Sequence, residues 1–167
     1  MEFITTSARE THQLANKILK ELFVRQHQGA LVLALQGELG AGKTTFIQGL
    51  AQALGVPEKV LSPTFVIMKR FGVRPRIKYG ASSLGRDKKS PAKVGTPINF
   101  YHLDCYRIEK AKDLDGLRLE EILKDKKNLV VIEWAERIKN VLPKDAVWIK
   151  FEHRGEDKRR IRIINYQ

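Results

Sequence analysis

The 167-residue chain predicts an α/β fold, a three-layer sandwich with helices on both faces of a mixed sheet and an antiparallel hairpin at its C-terminal end. Three observations carry this expectation. Leu31-Val32-Leu33-Ala34-Leu35 and Leu129-Val130-Val131-Ile132 are apolar throughout, as a central parallel strand covered on both sides must be. Helix-period stretches alternate with these runs,. Residues 147–152 and 159–165 alternate apolar and polar side chains on either side of a polar turn at Gly155, the period-two pattern of paired strands. With 43% hydrophobic residues, a chain of this size buries about two-thirds of its surface and forms one domain with a real core.

Ser7-Ala8-Arg9-Glu10 reads as a capping box, in which the Ser7 hydroxyl and the Glu10 carboxylate reciprocally satisfy the first N–H groups of a helix. Leu14, Ile18 and Leu22 continue it at helical spacing to about residue 26,. The strand 31–36 leads into a glycine loop and a helix over 43–54, ended by Gly55 with Pro57 behind it,. Ser62-Pro63-Thr64 opens an extended segment over 65–68. Regular pattern is then lost until the strand 98–104, which ends on Asp104. A helix over 114–124 and the strand 128–132, which ends at Glu133, precede the closing hairpin.

The loop Gly37-Glu38-Leu39-Gly40-Ala41-Gly42-Lys43-Thr44 matches a phosphate-binding loop between a strand and a helix, which makes the fold P-loop NTPase-like. Its glycines allow a tight turn that brings successive backbone N–H groups, from Glu38, Leu39, Gly40, Ala41, Gly42 and onward to Thr45, to bear on one anion. Lys43 supplies a point charge for the β- and γ-phosphates. The Thr44 hydroxyl completes a Mg²⁺ shell, and the helix start adds its positive dipole end. ATP and Mg²⁺ are therefore the expected cofactors.

In an open α/β sheet the ligand sits beyond the carboxyl ends of the strands, and Asp104 and Glu133 both follow strands there. One serves the metal and the other orients or deprotonates the attacking water, in an order that the residues leave open. Thr64 is a candidate sensor of the γ-phosphate. Trp134 and His102 read first as packing residues. Cys105, the single cysteine, reads as a small buried hydrophobe.

The net charge is +12, and residues 69–97 hold nine basic side chains against one acid. Glycines and prolines fill the same stretch, the composition of a flexible basic insertion. It is a candidate contact for tRNA phosphate or for an acidic patch on a partner. No run of about 18 apolar residues occurs and the N-terminus lacks a signal-peptide layout, so the expectation is a cytoplasmic protein with no membrane span.

Four blocks together resemble one family. They are the loop 37–46, Ser62-Pro63-Thr64-Phe65, His102-Leu103-Asp104-Cys105-Tyr106-Arg107 and Ile132-Glu133-Trp134-Ala135-Glu136, and the chain is similar to the TsaE family over residues 3–155, the insertion aside. The resemblance implies an ATPase that supports threonylcarbamoyl modification of adenosine 37 in tRNA, with TsaB and TsaD as partners. By matching positions it implies that Lys43 and Thr44 hold phosphate and Mg²⁺, that Glu133 completes the metal site, and that Asp104 and Thr64 are catalytic or switch residues. Ser7 would lie near the base. A small-molecule kinase and a nucleotide-binding switch without turnover are the rival readings.

Overall fold

A computed structural model describes residues 1–24, 27–63, 66–73 and 99–164. Among these residues, seven strands form one mixed sheet: β1 (Glu2–Thr5), β2 (Leu31–Gln36), β3 (Met68–Gly72), β4 (Asn99–Asp104), β5 (Asn128–Glu133), β6 (Val147–His153) and β7 (Arg159–Ile163). Their spatial order is β1-β7-β6-β2-β5-β4-β3. The central strands β6, β2, β5 and β4 run parallel, while β3, β7 and β1 add antiparallel edges. The predicted C-terminal hairpin is β6 and β7, and β1 extends it.

Alternation along β2 and β5 divides the core in two. Leu31, Leu33, Leu35, Leu129 and Val131 face the helices α1 (Ala8–Phe23) and α2 (Lys43–Ala53). Val32, Ala34, Val130 and Ile132 face the other layer, which contains Leu119 of α3 (Leu119–Lys124) and Ile138 of a 3-10 helix over Ala135–Val141. Helices α1 and α2 cross closely at Gly49, where an added Cβ would stand 2.6 Å from the His12 Cα. Phe46 of α2 meets Phe151 of β6 edge-on at 5.4 Å, an arrangement that contributes about 0.5–1.5 kcal/mol beyond burial. These contacts hold the start of α2 over the carboxyl end of the sheet.

The structure corrects several boundaries. Helix α1 is capped by Ser7, whose Oγ accepts from the Glu10 N–H at 3.2 Å, but the Glu10 carboxylate accepts from the Thr6 N–H at 2.6 Å instead of returning to Ser7. It ends at Phe23, ahead of residue 26. The expected helix over 114–124 is a 3-10 helix, Ala111–Leu114, followed by α3. Positive φ angles at Gly116 and Arg118 break the run between them. Residues 69–72, expected to open the insertion, belong to β3, where Phe71 stacks on Phe100 of β4 at 5.6 Å. Val66 and Ile67 form the turn before it. The rest of the insertion, 74–97, lies outside the described residues, as does Thr64. No helix among the described residues is long and apolar enough to cross a membrane.

On β6, Glu152 gathers four cations from the hairpin and its turn: Lys150, Arg154, Arg160 and Arg162. The hydrogen bond from Lys150, with those from Arg162, holds its carboxyl at about 2. Folding lowers this pKa, so the contribution is fully present above the ordinary value of 4.5 and is lost as pH falls toward about 2,. Glu152→Gln is therefore expected to lower the urea midpoint at pH 7 and pH 5, with the gap to the parent narrowing at pH 3. A gap independent of pH would show that the charge on Glu152 contributes nothing.

Candidate functional site

The glycine loop crosses the carboxyl end of β2 with positive φ at Gly37, Gly40 and Gly42, and α2 starts directly behind it. Gly37 is the most constrained of the three. Its φ is 142° and an added Cβ would lie 2.3 Å from the Phe151 carbonyl oxygen. Gly37→Ala is expected to destabilise the fold by about 2–4 kcal/mol, because backbone strain and a backbone clash combine. Chemical denaturation of the two proteins checks this, and equal midpoints would show that the loop relaxes at no cost.

A cavity of ≈ 310 Å³ opens beneath the loop. Leu39, Gly40, Gly42, Lys43, Thr44 and Thr45 line one side, with Ser62, Asp104, Tyr106, Glu133 and Trp134 on the other. Three of its charged side chains are nearly inaccessible: Lys43 at 4%, Asp104 at 5% and Glu133 at 3%. Buried charges need partners, and the partners define the site.

Lys43 Nζ donates to the Gly37 carbonyl at 2.6 Å and to the Glu38 carbonyl at 2.9 Å. Its third donor faces no hydrogen-bond acceptor among the described residues, while the Trp134 ring covers it at 4.1 Å,. Burial pushes the Lys43 ammonium below the usual lysine range, opposed by the negative charges of Glu133, Glu136 and Asp104,. A cation held in this way favours an anionic ligand, which would offset its loss of water.

Asp104 and Glu133 are register partners at the carboxyl ends of β4 and β5. The Asp104 carboxylate accepts from the Ser62 hydroxyl, and from the Tyr106 N–H at 2.9 Å. The Glu133 carboxylate accepts from the Thr44 hydroxyl, 3.0 Å from each oxygen. His102 Nε2 lies 2.9 Å from Glu133 Oε1. Hydroxyl and carboxylate oxygens side by side are the hard donors that Mg²⁺ takes, and the few ligands it draws from protein need not form a cage. The Thr44 and Glu133 pair fits that ion.

Of the residues expected at the site, Gly40, Gly42, Lys43, Thr44, Thr45, Leu39, Asp104 and Glu133 surround this one cavity. Glu38 adds its carbonyl to Lys43, and Ala41 is buried in the loop, its N–H bonded to the Glu38 carbonyl. Ser7 caps α1 and is not among the residues lining the cavity. Trp134, expected as packing, packs partly in the core and also covers Lys43. Cys105 is fully buried, and loss of water together with Asp104 raises its thiol to about 12, which leaves it inert,.

Three contributors escaped the sequence reading. Ser62 and Tyr106 enter only as members of the motif blocks, and His102 as a packing residue. The available signal was the strand period: His102 and Asp104 are two residues apart in β4 and so share a face, the face on which Glu133 lies in β5,.

Known proteins share this arrangement of sequence. The model of the family described as "Threonylcarbamoyl adenosine biosynthesis protein TsaE" matches residues 5–161. The tRNA threonylcarbamoyladenosine biosynthesis protein TsaE of Aquifex aeolicus is 32% identical over 164 residues, 97% of this chain and 94% of that protein. Its namesake from Bacillus subtilis is 35% identical over 132 residues, 78% of this chain and 66% of that protein. The crystal structure of Bacillus subtilis YdiB matches with a TM-score of 0.60 at 27% identity, covering 96% of this chain and 82% of that one. A family match across nearly the whole chain, on a P-loop NTPase-like α/β fold, means that this chain belongs to the TsaE family, which takes part in tRNA threonylcarbamoyladenosine biosynthesis.

Proposed function

We propose that the protein binds Mg-ATP at the loop 37–44 and hydrolyses it in support of threonylcarbamoyl modification of adenosine 37 in tRNA, acting with TsaB and TsaD. The observation that carries the reading is the convergence of Lys43, Thr44, Asp104 and Glu133 on one cavity at the carboxyl edge of the sheet.

In this reading the third N–H donor of Lys43 goes to a phosphate oxygen, with the two loop carbonyls fixing the ammonium,. Trp134 shields that charge from water and adds about 0.5–2 kcal/mol of cation–π attraction,. Thr44 and Glu133 hold the metal, which when bound neutralises charge on the phosphate oxygens. Asp104, held by Ser62 and the Tyr106 N–H, orients the attacking water and takes its proton. Thr64 would complete the phosphate shell and Ser7 would approach the base.

The experiment is phosphate release measured for the chain alone and with TsaB and TsaD. Release stimulated by the partners supports the reading. Phosphorylation of an added metabolite supports a kinase, and nucleotide binding without turnover in either setting supports a switch. The basic insertion is proposed to contact tRNA phosphates. Deleting residues 74–97 should then weaken tRNA binding and flatten its dependence on salt, and an unchanged affinity and slope would rule this out.

A further inference from the structure

His102 stands out because burial, geometry and an unmet hydrogen bond meet at one side chain. It is 0% exposed, in the middle of β4, and its Nε2 is 2.9 Å from Glu133 Oε1. An ionised carboxylate only accepts, so Nε2 carries the proton and donates. The other ring nitrogen, Nδ1, is buried and has no hydrogen-bond partner among the described residues. An unpaired buried polar atom costs about 1–3 kcal/mol, and an apolar side chain in this core position would avoid that cost. Packing therefore does not account for a histidine here.

The contact with Glu133 does account for it. Thr44 Oγ reaches both Glu133 oxygens at 3.0 Å, and the single proton of a hydroxyl does not by itself distinguish one carboxylate oxygen from the other. A second donor mounted on the neighbouring strand, opposite Val131, makes that distinction by bonding to Oε1. Oε1 then meets both His102 and Thr44, whereas Oε2 meets Thr44 alone among the described residues and is the oxygen left for a cation.

We propose that His102 is a positioning residue for Glu133, fixing the orientation of its carboxylate so that one oxygen is held ready for a divalent cation beside Thr44. The inference rests on the reading of Glu133 as a metal ligand given above. It goes beyond that reading by assigning the metal affinity to a strand residue that lies behind the site and touches neither metal nor nucleotide.

The test measures nucleotide affinity by calorimetry as Mg²⁺ is varied, and again in EDTA, using the full chain. His102→Leu removes the donor. His102→Asn also removes it, since its amide falls short of the Nε2 position, and serves where the leucine variant does not fold. His102→Gln places an amide N–H near the Nε2 position. Loss of a partner of this type raises the Mg²⁺ requirement by roughly 10–100-fold. The expected result is such a rise for Leu and Asn, return to the parental value for Gln, and the same EDTA affinity for all. In a Glu133→Ala background, His102→Leu should change the Mg²⁺ requirement no further. A folded Leu or Asn variant with the parental requirement overturns the inference, as does a further loss in the Glu133→Ala background. If the parent itself shows no Mg²⁺ dependence, the reading of Glu133 falls and takes the inference with it.

Discussion

Lys43→Ala is expected to weaken ATP binding about 100-fold or more, the loss of charge-assisted hydrogen bonds totalling about 3 kcal/mol. The size follows from the surroundings of the ammonium. It is buried, fixed by the Gly37 and Glu38 carbonyls and covered by Trp134, so it pays little entropy on meeting a phosphate. Among the described residues, no other cation lines the cavity. Alanine would also leave the carboxylates of Asp104 and Glu133 beside an incoming polyanion with no opposing charge from the loop. Calorimetric titration with a non-hydrolysable ATP analogue measures the effect, and the circular dichroism of the variant checks that the loop change has not unfolded it. Affinity within threefold of the parent would show that the backbone N–H groups and helix dipole hold the nucleotide unaided.

Glu133→Ala is expected to separate binding from turnover. Its carboxylate bonds to Thr44 and not to the loop backbone, so its removal should leave most of the phosphate contacts in place. We expect nucleotide affinity in EDTA to be unchanged and the Mg²⁺-dependent turnover to fall by about 100-fold or more, the scale of losing one electrostatic stabiliser of the reacting phosphate. Single-turnover phosphate release with the partners present measures the second quantity. Normal turnover in this variant would remove Glu133 from the metal site. The reverse pattern, lost binding in EDTA with turnover per bound ATP intact, would assign it to the nucleotide instead.

Much of the fold was legible because the signals are local. The strand 31–36 and the start of α2 at Lys43 were read from an apolar run followed by a glycine loop, and both stand where expected. Burial on both faces leaves residues 31–35 of β2 and 129–132 of β5 apolar throughout, and that composition is visible within a few residues. Ser7 was read as a cap from the Ser-x-x-Glu spacing, although the acid reaches Thr6. The edge strands were harder. β1 escaped notice and β3 was read as the start of the insertion, because Lys69 and Arg70 are exposed edge residues whose charge looks the same in a loop. Only pairing with β4 makes them strand. The 114–124 run failed for a related reason, since apolar spacing alone does not reveal a backbone that turns at Gly116 and Arg118.

The site divides along the same line. The sequence by itself determined the α/β class, the central strands, the loop that would cradle a phosphate, and the two acids that end strands, because each depends on residues adjacent in the chain. Tertiary structure decided which atoms meet: Thr44 and His102 on Glu133, Ser62 on Asp104, and Trp134 over Lys43. His102 and Glu133 are 31 residues apart, and no local pattern links them. They meet because β4 pairs with β5 in one register, and a shift of one residue would turn His102 to the opposite face of the sheet,.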